Sequence, residues 1–228
     1  MKRFLLFNRT KARLKGRRVR TLVDRFHRLY YNGYALGKTW NSTFWLGVRT
    51  QKCPLDLWVY QEIIHEIRPD VIIETGTLNG GSALFLASMC DLIGKGSVIT
   101  IDISHKEALP QHPRITCLLG SSVSDEIVQH VRSRIREGET VMAILDSDHH
   151  CDHVLSELRT YGALVTTGSY LIVEDTNING HPVLSHFGPG PMEAVEEFLR
   201  ENKDFGVDRE KEKFYLTFNP SGYLRKVG

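Results

Sequence analysis

Apolar and polar positions along this chain fall into two alternating patterns. Short, near-continuous apolar runs stand at 71–73 (VII), 97–103 (SVITIDI), 115–119 (ITCLL), 141–145 (VMAIL) and 170–173 (YLIV). Stretches of helical spacing lie between or after them, at about 81–90, 123–136, 152–161 and 191–201. A further helix is expected to begin at Pro54, where a first-turn proline is tolerated, with Trp58, Ile63, Ile64 and Ile67 as its apolar residues and Pro69 beyond its end. Strands without a polar face, joined by helical crossovers, predict an α/β protein with a mostly parallel, twisted sheet covered by helices on both faces. The tail KFYLTFNPSGYL has no helix after it and is expected to supply a reversed edge strand.

Two stretches break this alternation. Residues 30–47 (YYNGYALGKTWNSTFWLG) are rich in glycine and aromatics and read as a loop region joining an arm to the body. Residues 176–190 (TNINGHPVLSHFGPG) form a long connection directly after the fifth strand, a placement that suits a lid. The expected organisation is therefore an arm and aromatic loop region over 1–50 and a catalytic domain over 51–228.

Charge sharpens the division. The net charge is only +2, yet residues 1–28 hold eleven of the 29 lysines and arginines and one acid, Asp24. The remaining 18 basic and 26 acidic residues give the body a formal charge of −8. Such an arm suits an anionic surface or a neighbouring subunit, and a homo-oligomer is the expectation. Aromatic residues do not interleave the basic ones as single-strand recognition prefers, so nucleic acid is not an expected partner. No apolar run approaches the roughly 18 residues of a membrane span, and no transmembrane segment is expected. The opening MKRFLLFNRTKARLKGRRVR carries only the patch Phe4 to Phe7, short of the about 7–15 residues of a secretory leader, so a cytoplasmic location is expected. Cys53, Cys90, Cys117 and Cys151 have no CxxC spacing and read as reduced structural thiols.

Candidate chemistry gathers at the ends of the strands. In open α/β sheets, ligands sit beyond the carboxyl ends where the strand order reverses. The first strand ends in ETGTLNGGS, 74–82, in which Glu74, Gly76, Thr77, Gly80, Gly81 and Ser82 are the candidate ligand-binding residues. Glycines admit a close backbone approach, and the following helix offers free N–H groups. The pattern E-x-G-x-x-x-G-G differs from the dinucleotide fingerprint. Asp102 ends the second strand, where a carboxylate can accept from two ribose hydroxyls. Ser121 and Ser122 follow the third strand, where small polar groups suit an adenine ring. Together they predict an adenosine-type ligand.

The fourth and fifth strands end in LDSDHH (145–150) and VEDT (173–176). Asp146, Asp148, Glu174 and Asp175 are thereby expected to converge at one edge, and like charges so placed call for a cation. Neither stretch contains a lysine or arginine, and hard oxygen donors without cysteine suit Mg²⁺. Mg²⁺ beside an adenosine-type ligand favours S-adenosylmethionine, with a hydroxyl as methyl acceptor. A base must then take the hydroxyl proton, and His149, His150 and His153 are adjacent, with His149 preferred for its nearness to the strand end. Asp146 is a candidate in all three roles: cofactor contact, metal ligand and catalytic group.

These residues occur within a longer series: TWNSTFWLG, KCPLDLWVYQEII, ETGTLNGGSALF, VITIDI, LDSDHHCDHVLSELRTYGALV, GSYLIVEDT, GPGPMEAVEEFL and FYLTFNPSGYL, in order over roughly 39–224. In them the chain resembles the cephalosporin hydroxylase-like, or rhamnosyl O-methyltransferase, family. The resemblance implies a Rossmann-like class I methyltransferase fold that binds S-adenosylmethionine and Mg²⁺. It implies cofactor contacts at Glu74, Gly76 and Gly80–Ser82, Asp102 on the ribose, and metal ligation by Glu174, Asp175 and one of Asp146 or Asp148. Acceptors in the family range from deoxysugar hydroxyls to a cephalosporin ring position. The expected activity is O-methylation of a sugar hydroxyl, rhamnose or another deoxysugar, on a glycosylated small molecule or glycolipid. A hydroxylated antibiotic ring is the alternative acceptor, and a non-catalytic nucleotide-binding module is the alternative of another class.

Overall fold

The two faces of the sheet are legible residue by residue in its central strands. In β3 (Val71–Thr75), Val71 and Ile73 join one core while Ile72, between them, joins the other. Alternate side chains of a strand point to opposite faces, so burial of all five residues requires cover on both sides. The same split recurs at the centre of the sheet, with Val141, Ala143 and Leu145 on one side and Met142 and Ile144 on the other. The computed structural model describes residues 2–104 and 109–228, the side chains of residues 2–15 excepted.

The chain opens with α1 (Lys2–Asn32), whose backbone includes Phe4 to Phe7, although the side chains of that patch lie outside the described residues. Two 3-10 turns, Gly33–Leu36 and Thr39–Ser42, lead to a small ribbon of β1 (Phe44–Trp45) and β2 (Val48–Arg49). The helix α2 (Pro54–Ile67) follows, its buried face formed by Asp56, Val59, Tyr60, Ile63 and Ile64. These positions are three and four residues apart, the spacing of one helix face. Trp58, expected on that face, is instead 58% exposed and donates to Glu62 at 3.0 Å.

After β3 come α3 (Gly81–Ile93), β4 (Ser97–Asp102), β5 (Ile115–Leu119), α4 (Asp125–Ser133), β6 (Val141–Leu145), α5 (Cys151–Gly162) and β7 (Tyr170–Val173). The remainder is α6 (Pro191–Glu201), β8 (Phe205–Val207), a 3-10 turn at Arg209–Glu212 and β9 (Tyr223–Lys226). The sheet runs β5-β4-β3-β6-β7-β9-β8, parallel except for β9, which is antiparallel to both β7 and β8. The tail supplies a reversed strand as expected, but in Tyr223–Lys226 alone, and not at the edge, because β9 lies between β7 and β8. The stretch KFYLTF forms no strand, because Phe214 and Tyr215 are exposed while Leu216 and Phe218 pack into a third apolar cluster with Tyr31, Cys53, Ile178 and Val183.

Cover comes from α2 and α3 on one face and α4, α5 and α6 on the other. Each fully buried aliphatic side chain contributes about 1.5–3 kcal/mol relative to exposure, so both layers are needed to hold this sheet. The order reverses between β3 and β6. From β3 the chain steps outward to β4 and β5, then crosses back to lay β6 on the other side of β3. The crevice lies there.

Candidate active site

Register brings the two acidic strand ends together. Thr75 pairs with Leu145 and Leu145 with Val173, so Asp146 and Glu174 each stand one residue past a paired end. Gly76 occupies the same level and adopts φ +87°. A Cβ there would lie 1.9 Å from the Asp146 carbonyl oxygen, so only glycine lets the two strand ends approach this closely.

The glycine turn is held by polar groups beneath it. Thr77 Oγ1 and Thr100 Oγ1 are 2.7 Å apart, and Thr100 donates to Glu74 Oε2 at 2.7 Å. Glu74 Oε1 is buried with no hydrogen-bond partner among the described residues. Burial pushes the Glu74 carboxyl up to about 7, against the nearby charge of Lys52. Gly80, at φ +75°, leaves room for Pro110, and a Cβ on Gly81 would sit 2.3 Å from the Arg49 carbonyl oxygen. The segment after β2 is thus laid directly on the start of α3, beside Ser82, which is buried.

Asp102 stands where a ribose acceptor is expected. One of its carboxylate oxygens accepts from the Leu78 N–H at 2.9 Å and the other from the Ser104 N–H at 3.0 Å. Ser121 is half-buried, its carbonyl accepting from the Ser124 N–H and hydroxyl. Ser122 points inward. Its hydroxyl donates to Glu157 at 2.5 Å, Ser147 donates to the same oxygen at 2.7 Å, and His153 Nε2 lies 3.2 Å from Ser122 Oγ. The hydroxyl of Ser122 is therefore engaged within the protein and not aimed at an adenine. The hydrogen bond that His153 donates to Glu157 raises the pKa of His153, which adjoins this buried group.

Of the four acidic candidates, Asp146 and Asp175 converge with His149, Glu174 lies beside Asp146, and Asp148 stands apart. Ligand-type atoms of Asp146, His149 and Asp175 all lie within 4.8 Å of one another. His149 Nε2 is 3.3 Å from Asp175 Oδ2. Glu174 is buried beside Asp146, accepting from Tyr60 at 2.8 Å and from Lys52 at 2.6 Å. Asp148 turns outward. It is bound to the His150 ring at 2.6 Å and to the His150 N–H at 2.9 Å, and both side chains are largely exposed. That pair closes the start of α5 and stands apart from the carboxylates.

Lys52 is the residue that the strand-end reading missed. Its ammonium bridges Asp146 and Glu174, with 6% of the side chain exposed. The carboxylates are thus compensated by a cation lying 94 residues before Asp146, and the inference that no lysine serves them is corrected. Burial opposes its charge, but Asp146, Glu174 and Glu74 raise its pKa above the ordinary lysine value. Burial likewise pushes Asp146 and Glu174 up against the charge of Lys52, and Asp175 up against His149. Behind Glu174, Asn219 donates to the Tyr60 hydroxyl at 2.9 Å, so the residue is braced from two elements. Nearby, Asp56 accepts from Thr217, Phe218 N–H and Tyr223 at 2.5–2.8 Å, with its carboxyl pushed by burial to about 6. The signal for Lys52 and Asp56 lay in KCPLD, a motif rich in charge at the start of an otherwise apolar helix.

The aromatic region 30–47 is divided, with Tyr34, Leu36, Phe44 and Leu46 exposed and other aromatics turned inward. Tyr31 and Trp40 stack with Phe218, and Trp40 Nε1 donates to the Tyr31 carbonyl at 3.0 Å. Since Arg49 and Lys52 line the site, a division of the chain at residue 50 passes through it. The connection after β7 is anchored over much of its length: Thr176, Asn177, Ile178 and Val183 are buried, while 184–186 are exposed.

Comparison with known proteins places this geometry in a family. The family model described as Rhamnosyl O-methyltransferase/CmcI matches residues 37–227. A rhamnosyl O-methyltransferase of Mycobacterium leprae is 41% identical over 211 residues, 90% of this chain and 90% of that protein. One from Mycobacterium tuberculosis is 39% identical over 220 residues, 93% of this chain and 88% of that protein. Among solved structures, CmcI with Mg and SAM shares the fold at a TM-score of 0.64 and 24% identity, covering 82% of this chain and 78% of that one.

Proposed function

The chain belongs to the Rhamnosyl O-methyltransferase/CmcI family and is an O-methyltransferase, and we propose that it uses S-adenosylmethionine and Mg²⁺ to methylate a sugar hydroxyl, rhamnose or another deoxysugar, of a glycosylated metabolite or glycolipid. The observation that carries this reading is the convergence of Asp146, His149 and Asp175, with Glu174 joined to Asp146 through Lys52, beside the glycine turn at the reversal between β3 and β6. A transferable methyl and the oxygen that receives it must meet at one place. This crevice supplies both sides of the encounter.

On the cofactor side, Gly76, Thr77, Gly80, Gly81 and Ser82 shape the turn, and Asp102 receives the ribose hydroxyls. In the ligand-free arrangement Asp102 accepts from backbone N–H groups of the turn and of Ser104, contacts that hold the carboxylate in place. Glu74 works beneath the turn through Thr100.

On the acceptor side, the donor set fits a divalent ion. Lys52 and Tyr60 engage Asp146 Oδ2 and Glu174 Oε1, while Asp146 Oδ1 and Glu174 Oε2 form no hydrogen bond among the described residues. The Asp146 and Asp175 carboxylates, whose ligand oxygens lie within 4.8 Å of each other, would hold Mg²⁺, with Glu174 beside Asp146 as the further oxygen donor of this reading. When bound, Mg²⁺ stabilises an acceptor alkoxide. His149, held 3.3 Å from Asp175, takes the hydroxyl proton at Nε2. The acceptor oxygen then forms a bond to the sulfonium methyl as the sulfur–carbon bond breaks, leaving S-adenosylhomocysteine. His150 and Asp148, paired with each other and exposed, take no part.

A rhamnosyl acceptor matches the reading because two neighbouring hydroxyls of a sugar can chelate one ion. Incubation of labelled S-adenosylmethionine with a panel of rhamnosylated acceptors tests it, with and without exhaustive chelation. Methyl transfer to a sugar hydroxyl, lost with EDTA and restored by Mg²⁺, is the expected result. Transfer only to a hydroxylated antibiotic ring would replace the sugar acceptor, and full activity after chelation would remove the metal.

A further inference from the structure

The helix α1 carries a face that nothing among the described residues covers. Val19, Leu22, Phe26 and Leu29 are spaced three, four and three residues apart, so they share one side of the helix. They are 40%, 67%, 51% and 70% exposed. The helix is nonetheless fixed to the body through its other side. His27 is buried, stacks on Phe218 and lies 2.9 Å from Asn177, while Tyr31 packs in the same cluster. The apolar stripe therefore points away from the body by construction.

Arginines border the stripe. Arg18 stands four residues before Leu22, and Arg25 four before Leu29, placing both along its edge. Arg17, Arg18, Thr21, Leu22 and Arg25 line a surface groove. Among the described residues, none of Arg17, Arg18, Arg20, Arg25 and Arg28 forms an ion pair. We propose that α1 lies flat on an anionic lipid surface, with Leu22, Phe26 and Leu29 entering the acyl boundary and the arginines at headgroup level.

Charge and apolar surface together select this occupant over a second α1 and over nucleic acid, while a mass measurement by light scattering tests a second copy that meets α1 with its acidic body. A second copy of α1 against the same stripe would bring eleven more basic residues and a single acid into contact with the first set. Nucleic acid would satisfy the arginines but leave the three large apolar side chains in water. An anionic bilayer satisfies both, since a cationic rim around an apolar stripe is the pattern of helices that rest in the membrane interface. No helix among the described residues is long and apolar enough to cross the bilayer, so the helix lies on it. The placement also has a consequence for the site. Arg28 donates to the Pro182 carbonyl at 3.0 Å, and His27 touches Asn177, two residues past Asp175. Docking of α1 sets the acceptor side of the crevice beside the lipid surface, whatever acceptor is used.

Cosedimentation with vesicles tests this without reference to turnover. The full chain is mixed with vesicles of phosphatidylcholine alone or with about a third phosphatidylglycerol, at low and at 0.5 M salt. The expected result is binding to the anionic vesicles only, weakened at least tenfold by salt. Each arginine near the surface contributes roughly fivefold, so Arg18→Glu with Arg25→Glu should lower partitioning more than tenfold. Leu22→Ser with Phe26→Ser should lower it comparably at unchanged charge, which separates insertion from simple attraction. Circular dichroism and calorimetric binding of S-adenosylmethionine confirm that both variants remain folded. Absence of binding to anionic vesicles, or binding unaffected by the Leu22/Phe26 pair, overturns the proposal. So does a fall in mass by light scattering in that pair without any vesicle binding, which would assign the stripe to a second copy.

Discussion

Replacement of Lys52 by methionine should destabilise the metal-free protein and make its stability depend on added Mg²⁺. The lysine ammonium is ion-paired with both Asp146 and Glu174, and its removal leaves two adjacent carboxylates in a crevice where Glu174 is 5% exposed. Breaking a buried pair by removing one partner costs about 3–5 kcal/mol. The lower end applies, because the Asp146 side chain keeps 21% of its surface in water and Tyr60 still donates to Glu174. For a domain of this size, about 3 kcal/mol corresponds to a fall in Tm of roughly 6–12 °C. Methionine preserves most of the stem's packing, so the loss reports charge and not a cavity. Thermal melts followed by circular dichroism, in EDTA and then in a Mg²⁺ titration, provide the assay. The variant should gain more from Mg²⁺ than the parent does, because the divalent ion then neutralises both carboxylates. Lys52→Arg, retaining the charge, should fall between the two. A Lys52→Met protein that melts in EDTA within about a degree of the parent would falsify the reasoning that the carboxylates depend on this cation.

Two further outcomes test other parts of the molecule. Asp102→Ala should weaken S-adenosylmethionine binding by about 1–3 kcal/mol, the worth of hydrogen bonds to a charged group; calorimetry on the folded variant checks it, and unchanged affinity would remove Asp102 from the ribose. His27 should make stability fall under acid: burial, followed by opposing contributions from Asp24 and Arg28 on its own helix, lowers its pKa to about 4, while Asn177 and Phe218 face it without charge. Since the folded value lies below the unfolded value of about 6.5, the unfolded chain binds more protons between them, so stability is complete above pH 6.5 and declines towards pH 4, on the order of 2–3 kcal/mol in all. Comparison of melts with His27→Gln over that range should show a shallower decline in the variant; parallel curves would refute the assignment.

The strands were legible in the sequence because burial on both faces turns each into a nearly unbroken apolar run. Once β3, β4, β6 and β7 are placed, the residues at or one step past their ends follow, which is why Gly76, Asp102, Asp146 and Glu174 are assigned to one edge from the sequence. Orientation beyond the strand end was not legible. Asp148 lies only two residues past Asp146, yet a carboxylate at the start of α5 finds the His150 N–H and ring within reach, and that local bond turns it outward. The Ser122 hydroxyl is drawn inward for a different reason. Glu157, from the second turn of α5, is buried beneath the loop and draws in the hydroxyls of both Ser122 and Ser147. Charge compensation is the least local of these effects. A search for a cation near LDSDHH or VEDT in sequence finds none, because Lys52 arrives from a segment separated from Glu174 by 122 positions. The chain path that brings it there is fixed by features with no charge at all: Gly81, which admits the Arg49 carbonyl at the start of α3, and Pro54, which opens α2 two residues after the lysine. A larger residue at Gly81 would push the Arg49–Lys52 segment away from the crevice, so the electrostatics of the site rest on a steric vacancy some distance along the chain from any of its carboxylates.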